Sequence, residues 1–209
     1  MRKRKLRLWG TLVVIYLVFV GWYTSFGGPL TQQEIERYLS HFEAQQPPPS
    51  PEQMALLRTF MEEDSGDDFL MVNLIDMREK PRAIEGVEPG ASSDDVLDEY
   101  MAYMTPALLA RASHPVFYGR AASAALDLMH ADGMDEWTVA AGMRYRSRRD
   151  MLDIATNPGF RDAHPYKVAA MSKTIAFPID PWFHLGDPRL VLALVFGWIG
   201  CAASRHRHP

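Results

Sequence analysis

From Leu8 to Phe26 the chain runs nineteen residues without a charge. As a helix that stretch rises roughly 28 Å, close to the hydrocarbon thickness of a bilayer. Trp9 stands at one end and Trp22 and Tyr23 at the other, the depths at which amphipathic rings favour the headgroup layer. Ser25 and Gly27 make only a weak cleavage site, and the run exceeds the roughly 7–15 residues of a signal-peptide core, so an uncleaved anchor is expected. A second uncharged run, Leu190 to Ala203, rises only about 21 Å. Arg205-His-Arg207-His208 follows it, the stop expected of a span that returns to the cytoplasm, and Trp182 and Phe183 would mark the outer interface. Ala193 and Gly197 have the spacing that lets another helix approach closely. A run this short also suits a buried or interfacial helix; the reading favoured is a short second transmembrane helix.

Between the two runs the periodicity changes. Thr31-Gln-Gln-Glu34 is a capping box opening a helix with Ile35, Leu39 and Phe42 on one side, and Pro47 to Pro49 end it. Ser50 and Pro51 start a second helix striped by Met54, Leu57, Phe60 and Met61. These helices, residues 28–67, read as a linker between an anchor at 1–27 and a domain at 68–180; residues 181–209 hold the second span and a basic tail. Within the domain, Phe69 to Asp76 is an apolar strand, and Ser92 with Asp95 caps a helix faced by Val96, Tyr100, Tyr103, Met104 and Leu108, with a kink expected at Pro106. His114 to Arg120 and Glu136 to Arg146 are the second and third strands, Ser147 caps a helix broken at Asn157-Pro-Gly159, and Thr174 to Ile179 is the last strand. The order βαββαβ is the split arrangement of α+β, ferredoxin-like folds. Right-handed crossovers put both helices on one sheet face, and the bare apolar face left behind predicts a homodimer, the dimeric α+β barrel.

Charge adds a location. The first 27 residues carry five basic residues and residues 189–209 three, with no acid in either segment. All 26 acids lie between, with 14 basic residues, so the middle carries a net −12. Basic tails favour the cytoplasm, which places both termini there and the central domain on the outer side of the cytoplasmic membrane. The overall charge of −4 gives no support to nucleic-acid binding. A single cysteine, Cys201, excludes an internal disulfide and a cysteine zinc site.

Several segments together resemble a known family. Met71-Val-Asn-Leu-Ile75, Glu99-Tyr-Met-Ala-Tyr103, Phe117-Tyr-Gly-Arg120, Trp137, Arg144-Tyr-Arg-Ser-Arg148, Asn157-Pro-Gly-Phe160 and Lys167-Val-Ala-Ala170 follow the order of motifs in domain of unknown function 1330. That family lies within the dimeric α+β-barrel superfamily, and the resemblance covers residues 68–180. It implies the same fold and a dimer. Where the family usually has proline after the tyrosine of the third strand, this chain has Arg146, and Ser113-His114-Pro115 replaces the usual paired glycines.

The candidate chemistry is sparse. Asn73 interrupts an apolar strand, sharing a face with Phe69, Met71 and Ile75 while Leu70, Val72 and Leu74 take the other. If the second set packs on the helices, Asn73 points between two sheets and can orient a ligand amide or carbonyl; the plainer alternative is an asparagine satisfied by nearby backbone. Arg144, Arg146 and Arg148 alternate, and with Arg120, which shares a face with Tyr118, they suit a carboxylate or phosphate, unless they simply form a solvated strand end. Tyr100, Tyr103, Tyr118 and Tyr145 suit an apolar pocket, the first two equally a helix core. His114 and His164 are the histidines placed to bind haem iron, as in some superfamily relatives, but no cofactor and no metal site is expected. The expectation is a membrane-anchored ligand-binding or assembly module for a small apolar or anionic ligand. The alternative is a cofactor-independent oxygenase or isomerase, which requires an open cavity of about 300 Å³ or more with convergent polar groups.

Overall fold

A computed structural model describes residues 2–181 and 185–205. Trp182, Phe183, His206 and His208 lie outside the described residues. The chain forms two compact units: one joins the two terminal segments, up to Ser25 and from Pro181, and the other spans Phe26–Asp180.

The first unit is an antiparallel pair of helices, α1 (Arg2–Tyr23) and α7 (Pro188–Arg205). Lys5 Nζ donates to the Ser204 carbonyl at 3.1 Å, and the Arg189 guanidinium lies 5.4 Å from the Tyr23 ring centroid at the other end. The helices meet at Gly200, where a Cβ would fall 2.3 Å from the Trp9 ring. Gly197, expected at such a contact, faces open space. Among the described residues one helix, Lys3–Tyr23, is long and apolar enough to cross a membrane; Pro188–Ser204 is apolar but shorter.

The second unit begins with α2 (Gln32–Glu43) and α3 (Pro51–Glu62). Both start from capping boxes, Thr31 with Glu34 and Ser50 with Gln53. Rather than standing apart as a linker, the two pack on α5 (Arg148–Ala155): Ile35, Tyr38, Leu39 and Met61 bury themselves around Leu152. Polar ties fix the contact. Tyr38 Oη donates to Asp153 at 2.6 Å, and Arg149 pairs with Glu34 at 2.7 Å. The chain closes on itself at Gly66, whose φ of +83° and contact with the Gly28 backbone leave no room for a Cβ.

The remaining elements are β1 (Phe69–Met77), α4 (Ser93–Leu109), β2 (His114–Arg120), β3 (Val139–Tyr145), α6 (Pro158–Ala170) and β4 (Met171–Ile179). All strand pairs are antiparallel, in the order β2-β3-β1-β4, which is the ferredoxin-like arrangement that βαββαβ predicts. The third strand starts at Val139, three residues later than its sequence suggests, and Pro106 sits inside α4 without ending it.

One expectation reverses. Phe69, stacked on Tyr145 at 5.4 Å, joins Tyr100, Met104, Leu108, Ile154 and Ala163 in the main core. The Phe69-Met71-Asn73-Ile75 face therefore meets the helices, and the Leu70-Val72-Leu74 face is the other one. Both parities of β1 are apolar, so alternation alone does not choose between them. The Phe117 ring covers Gly142 on the second face, and Phe117, Phe177 and Ile179 are exposed.

Candidate functional site

The site is a cavity of about 690 Å³ between the sheet and α4, closed by α5 and α6. Its floor follows from register. Asn73 on β1 faces Ala141 on β3 and Ala176 on β4, and Tyr118 on β2 faces Ala141. Three short side chains in one row leave a trough under the helix. Its walls are apolar and rich in methionine, including Met71, Met104, Met143, Met151, Ile154 and Phe160. Methionine is flexible and polarisable, suited to walls that adapt to an apolar guest. Arg120 and Asp94 form a 2.9 Å ion pair at the rim, where both are exposed, and Tyr118 beside them is 63% exposed.

Asn73, Tyr100, Tyr145 and Lys167 are four of the polar side chains that line this space; Thr105, Ser113 and Asp98 are others. Asn73 donates its Nδ2–H to the Met71 carbonyl at 3.0 Å, which leaves its amide oxygen without a protein donor among the described residues. Tyr100 and Tyr145 both line the cavity, where each hydroxyl keeps access to solvent and makes no hydrogen bond to another described residue. Burial raises the pKa of both phenols, that of Tyr145 to about 12, and the nearby Tyr145 adds to the rise at Tyr100. Both are therefore neutral donors at pH 7. Lys167 on α6 is the fourth. Its ammonium lies 5.9 Å from the Tyr100 ring centroid, no carboxylate is within 4 Å of it among the described residues, and burial lowers its pKa.

Of the residues singled out in the sequence, Asn73, Tyr100, Tyr118, Arg120 and Tyr145 come together at this cavity. Arg144 and Arg146 do not. Arg144, 3% exposed, donates to Asp68 Oδ2 and to the Ala112 carbonyl, each at 2.8 Å. Arg146 grips Asp150 through Nε and Nη2, both at 2.8 Å. The strand ends at Tyr145 and Ser147 caps α5, so the alternating arginines never form one face; each meets an acid brought by the fold. Tyr103 donates to the Ile154 carbonyl at 3.3 Å instead of lining the cavity. His114 and His164 stay outside it, and burial and then Lys167 lower the pKa of His164. Among the described residues no three His, Cys, Asp or Glu side chains cluster to hold a metal ion.

Lys167 is the residue sequence reasoning passed over. Its signal was present: counting from Phe160, positions 163, 167 and 170 make one helical stripe, and Lys167 is the only charge in it.

No family model matches the chain, and no curated protein matches its sequence. Solved structures do match. A protein of unknown function from Rhodopseudomonas palustris aligns at 20% identity and a TM-score of 0.51, covering 65% of this chain and 96% of that one. Its methylated form aligns at 21% identity and the same score, over 66% and 96%. SnoaB, a cofactor-independent oxygenase from Streptomyces nogalater, aligns at 13% identity over 58% of this chain and 99% of that one, with a TM-score of 0.36 that carries no argument. The Rhodopseudomonas structures support the ferredoxin-like fold and nothing more specific.

Proposed function

We propose that the chain is a membrane-tethered ligand-binding protein whose α+β domain encloses a small, largely apolar molecule. The observation that carries this is the open cavity of about 690 Å³, within the range of small-molecule sites, lined by the Tyr100 and Tyr145 hydroxyls and the Lys167 amine, none of which hydrogen-bonds or ion-pairs with another described residue. An interior serving assembly alone would be filled; here Met71 and Met143 line the space without filling it, and Trp137 lies elsewhere, donating to the Met134 carbonyl. The α1–α7 pair supports a two-span tether, because its antiparallel register sets the basic residues beside Lys5 level with the C-terminal end of α7. The charge pattern then argues for cytoplasmic termini and an extracytoplasmic domain. The exposed apolar sheet face and the motif order shared with domain of unknown function 1330 favour a homodimer. Native mass spectrometry of the protein purified in mild detergent tests the reading. A retained small apolar molecule supports it; an empty protein that also binds no aromatic probe refutes it.

A second reading has one specific support. An amine whose pKa is lowered by burial is more often in its free-base form, so Lys167 suits proton abstraction in a cofactor-independent oxygenation or isomerisation of the bound molecule. Conversion of a retained ligand by wild type and not by K167M would favour it.

A further inference from the structure

We propose that the cavity selects apolar molecules bearing one carboxylate, and that Lys167 with the hydroxyls of Tyr100 and Tyr145 receives that group. The inference rests on the ligand-binding reading and narrows it to a class. Lys167, half-buried, lines an apolar chamber with no carboxylate within ion-pair distance among the described residues. An ammonium so placed, with apolar walls on one side, gains from a counter-charge brought beside it. The protein's other cations near the site are engaged: Arg120 with Asp94, Arg144 with Asp68 and Arg146 with Asp150. The counter-ion is therefore the ligand's to bring.

The donor set narrows the choice. Tyr100 and Tyr145 hold protons at neutral pH and can give them to an acceptor, as can the ammonium. A carboxylate, acceptor-only and singly charged, matches one cation and two neutral donors. A phosphate, carrying nearly two charges and three strong acceptor oxygens, would leave charge uncompensated in an apolar space. A neutral carbonyl would leave the ammonium unpaired. The rim acids Asp94 and Asp98 oppose this preference from the exposed side, Asp94 being tied to Arg120. Beneath the head group, the Asn73 amide oxygen can accept from a hydroxyl or amide elsewhere on the ligand.

Two probes of one shape isolate the charge: naphthalene-1-acetate and naphthalene-1-acetamide, titrated calorimetrically into the full chain in lipid nanodiscs at pH 7, with empty nanodiscs as blank. The expected result is at least tenfold tighter binding of the acetate, a preference lost in K167M and kept in K167R. Equal binding of both probes overturns the carboxylate assignment and leaves the cavity reading standing, as does a preference that survives K167M. Binding of neither probe overturns both. If K167M does not fold, Y100F/Y145F decides: acetate affinity falling threefold or more with acetamide affinity unchanged supports the assignment, and no fall in acetate affinity overturns it.

Discussion

Replacing Arg144 with methionine separates a structural arginine from a ligand-binding one. The guanidinium is nearly sealed from solvent, its Nε on Asp68 and its Nη1 on the Ala112 carbonyl, both at 2.8 Å. Asp68 keeps some contact with water, its side chain being 22% exposed. Methionine fills most of the arginine's apolar stem but leaves a carboxylate and a carbonyl short of a donor. Hydrogen bonds to a charged group contribute about 1.5–3 kcal/mol each, and breaking a buried ion pair from one side costs about 3–5 kcal/mol. Partial hydration of Asp68 points to the lower end, about 3 kcal/mol. For a chain of this size that lowers Tm by about 6–12 °C. The assay is thermal unfolding of the full chain in detergent, followed by circular dichroism. A companion variant, R144M/D68L, removes the stranded charge as well and should recover much of the loss. Ligand binding by the folded fraction of R144M should be unchanged. A Tm within a degree of wild type, or lost binding at unchanged Tm, would refute this account and return Arg144 to the list of ligand contacts.

Other outcomes follow from the same contacts. Ala141→Leu fills the floor of the cavity: apolar-probe affinity should fall at least tenfold with Tm unchanged or raised, and retained affinity would place the ligand elsewhere. Phe177→Asp puts a charge on the exposed sheet face; light scattering should show a dimer in wild type and a monomer in the variant, and a wild-type monomer would exclude the pairing. Glu34 is held down to about 2 chiefly by hydrogen bonds from Arg149. A lowered carboxyl pKa stabilises above the ordinary value of 4.5 and loses that stability as pH falls towards about 2. Glu34→Gln should therefore cost about 1 kcal/mol at pH 7, as for other partly exposed pairs, and little at pH near 2; an equal cost at both would break the link to ionisation. A topology reporter fused after Pro209 should read cytoplasmic, and an extracytoplasmic signal would rule out two spans.

The fold was legible wherever local chemistry decides. Thr31, Ser50, Ser92 and Ser147 each begin a helix where their side chains predict one, and all four strands occupy their expected places in a βαββαβ order. Legibility failed where a decision depended on partners distant in sequence. The face of β1 that meets the helices is set by Phe69 against Tyr145, 76 positions away, while its alternation is apolar on both sides. The arginine ladder dissolved because Asp68 and Asp150 reach Arg144 and Arg146 through the tertiary fold and the first turn of α5. Half of the site, Asn73 and Tyr145, could be reached by asking which polar groups interrupt apolar strands. Lys167 required the same question of a helix.

That question also connects the cavity to its chemistry. A sheet centre that carried leucine at positions 141 and 176 would meet α4 directly and bury more apolar area, roughly 0.8 kcal/mol for each added methylene. Alanine at both positions, with Asn73 between them, forgoes that packing in one row across three strands. The same row lies in a chamber that also holds a lysine without a counter-ion and two phenols without acceptors among the described residues. In the empty domain these donors face solvent in the open cavity. All are matched together by one event, entry of a molecule with an apolar body and a single accepting head. The apolar trough and the unmatched donors therefore have one physical explanation, and stabilisation by a bound carboxylate should exceed that by its amide in any assay that reads unfolding.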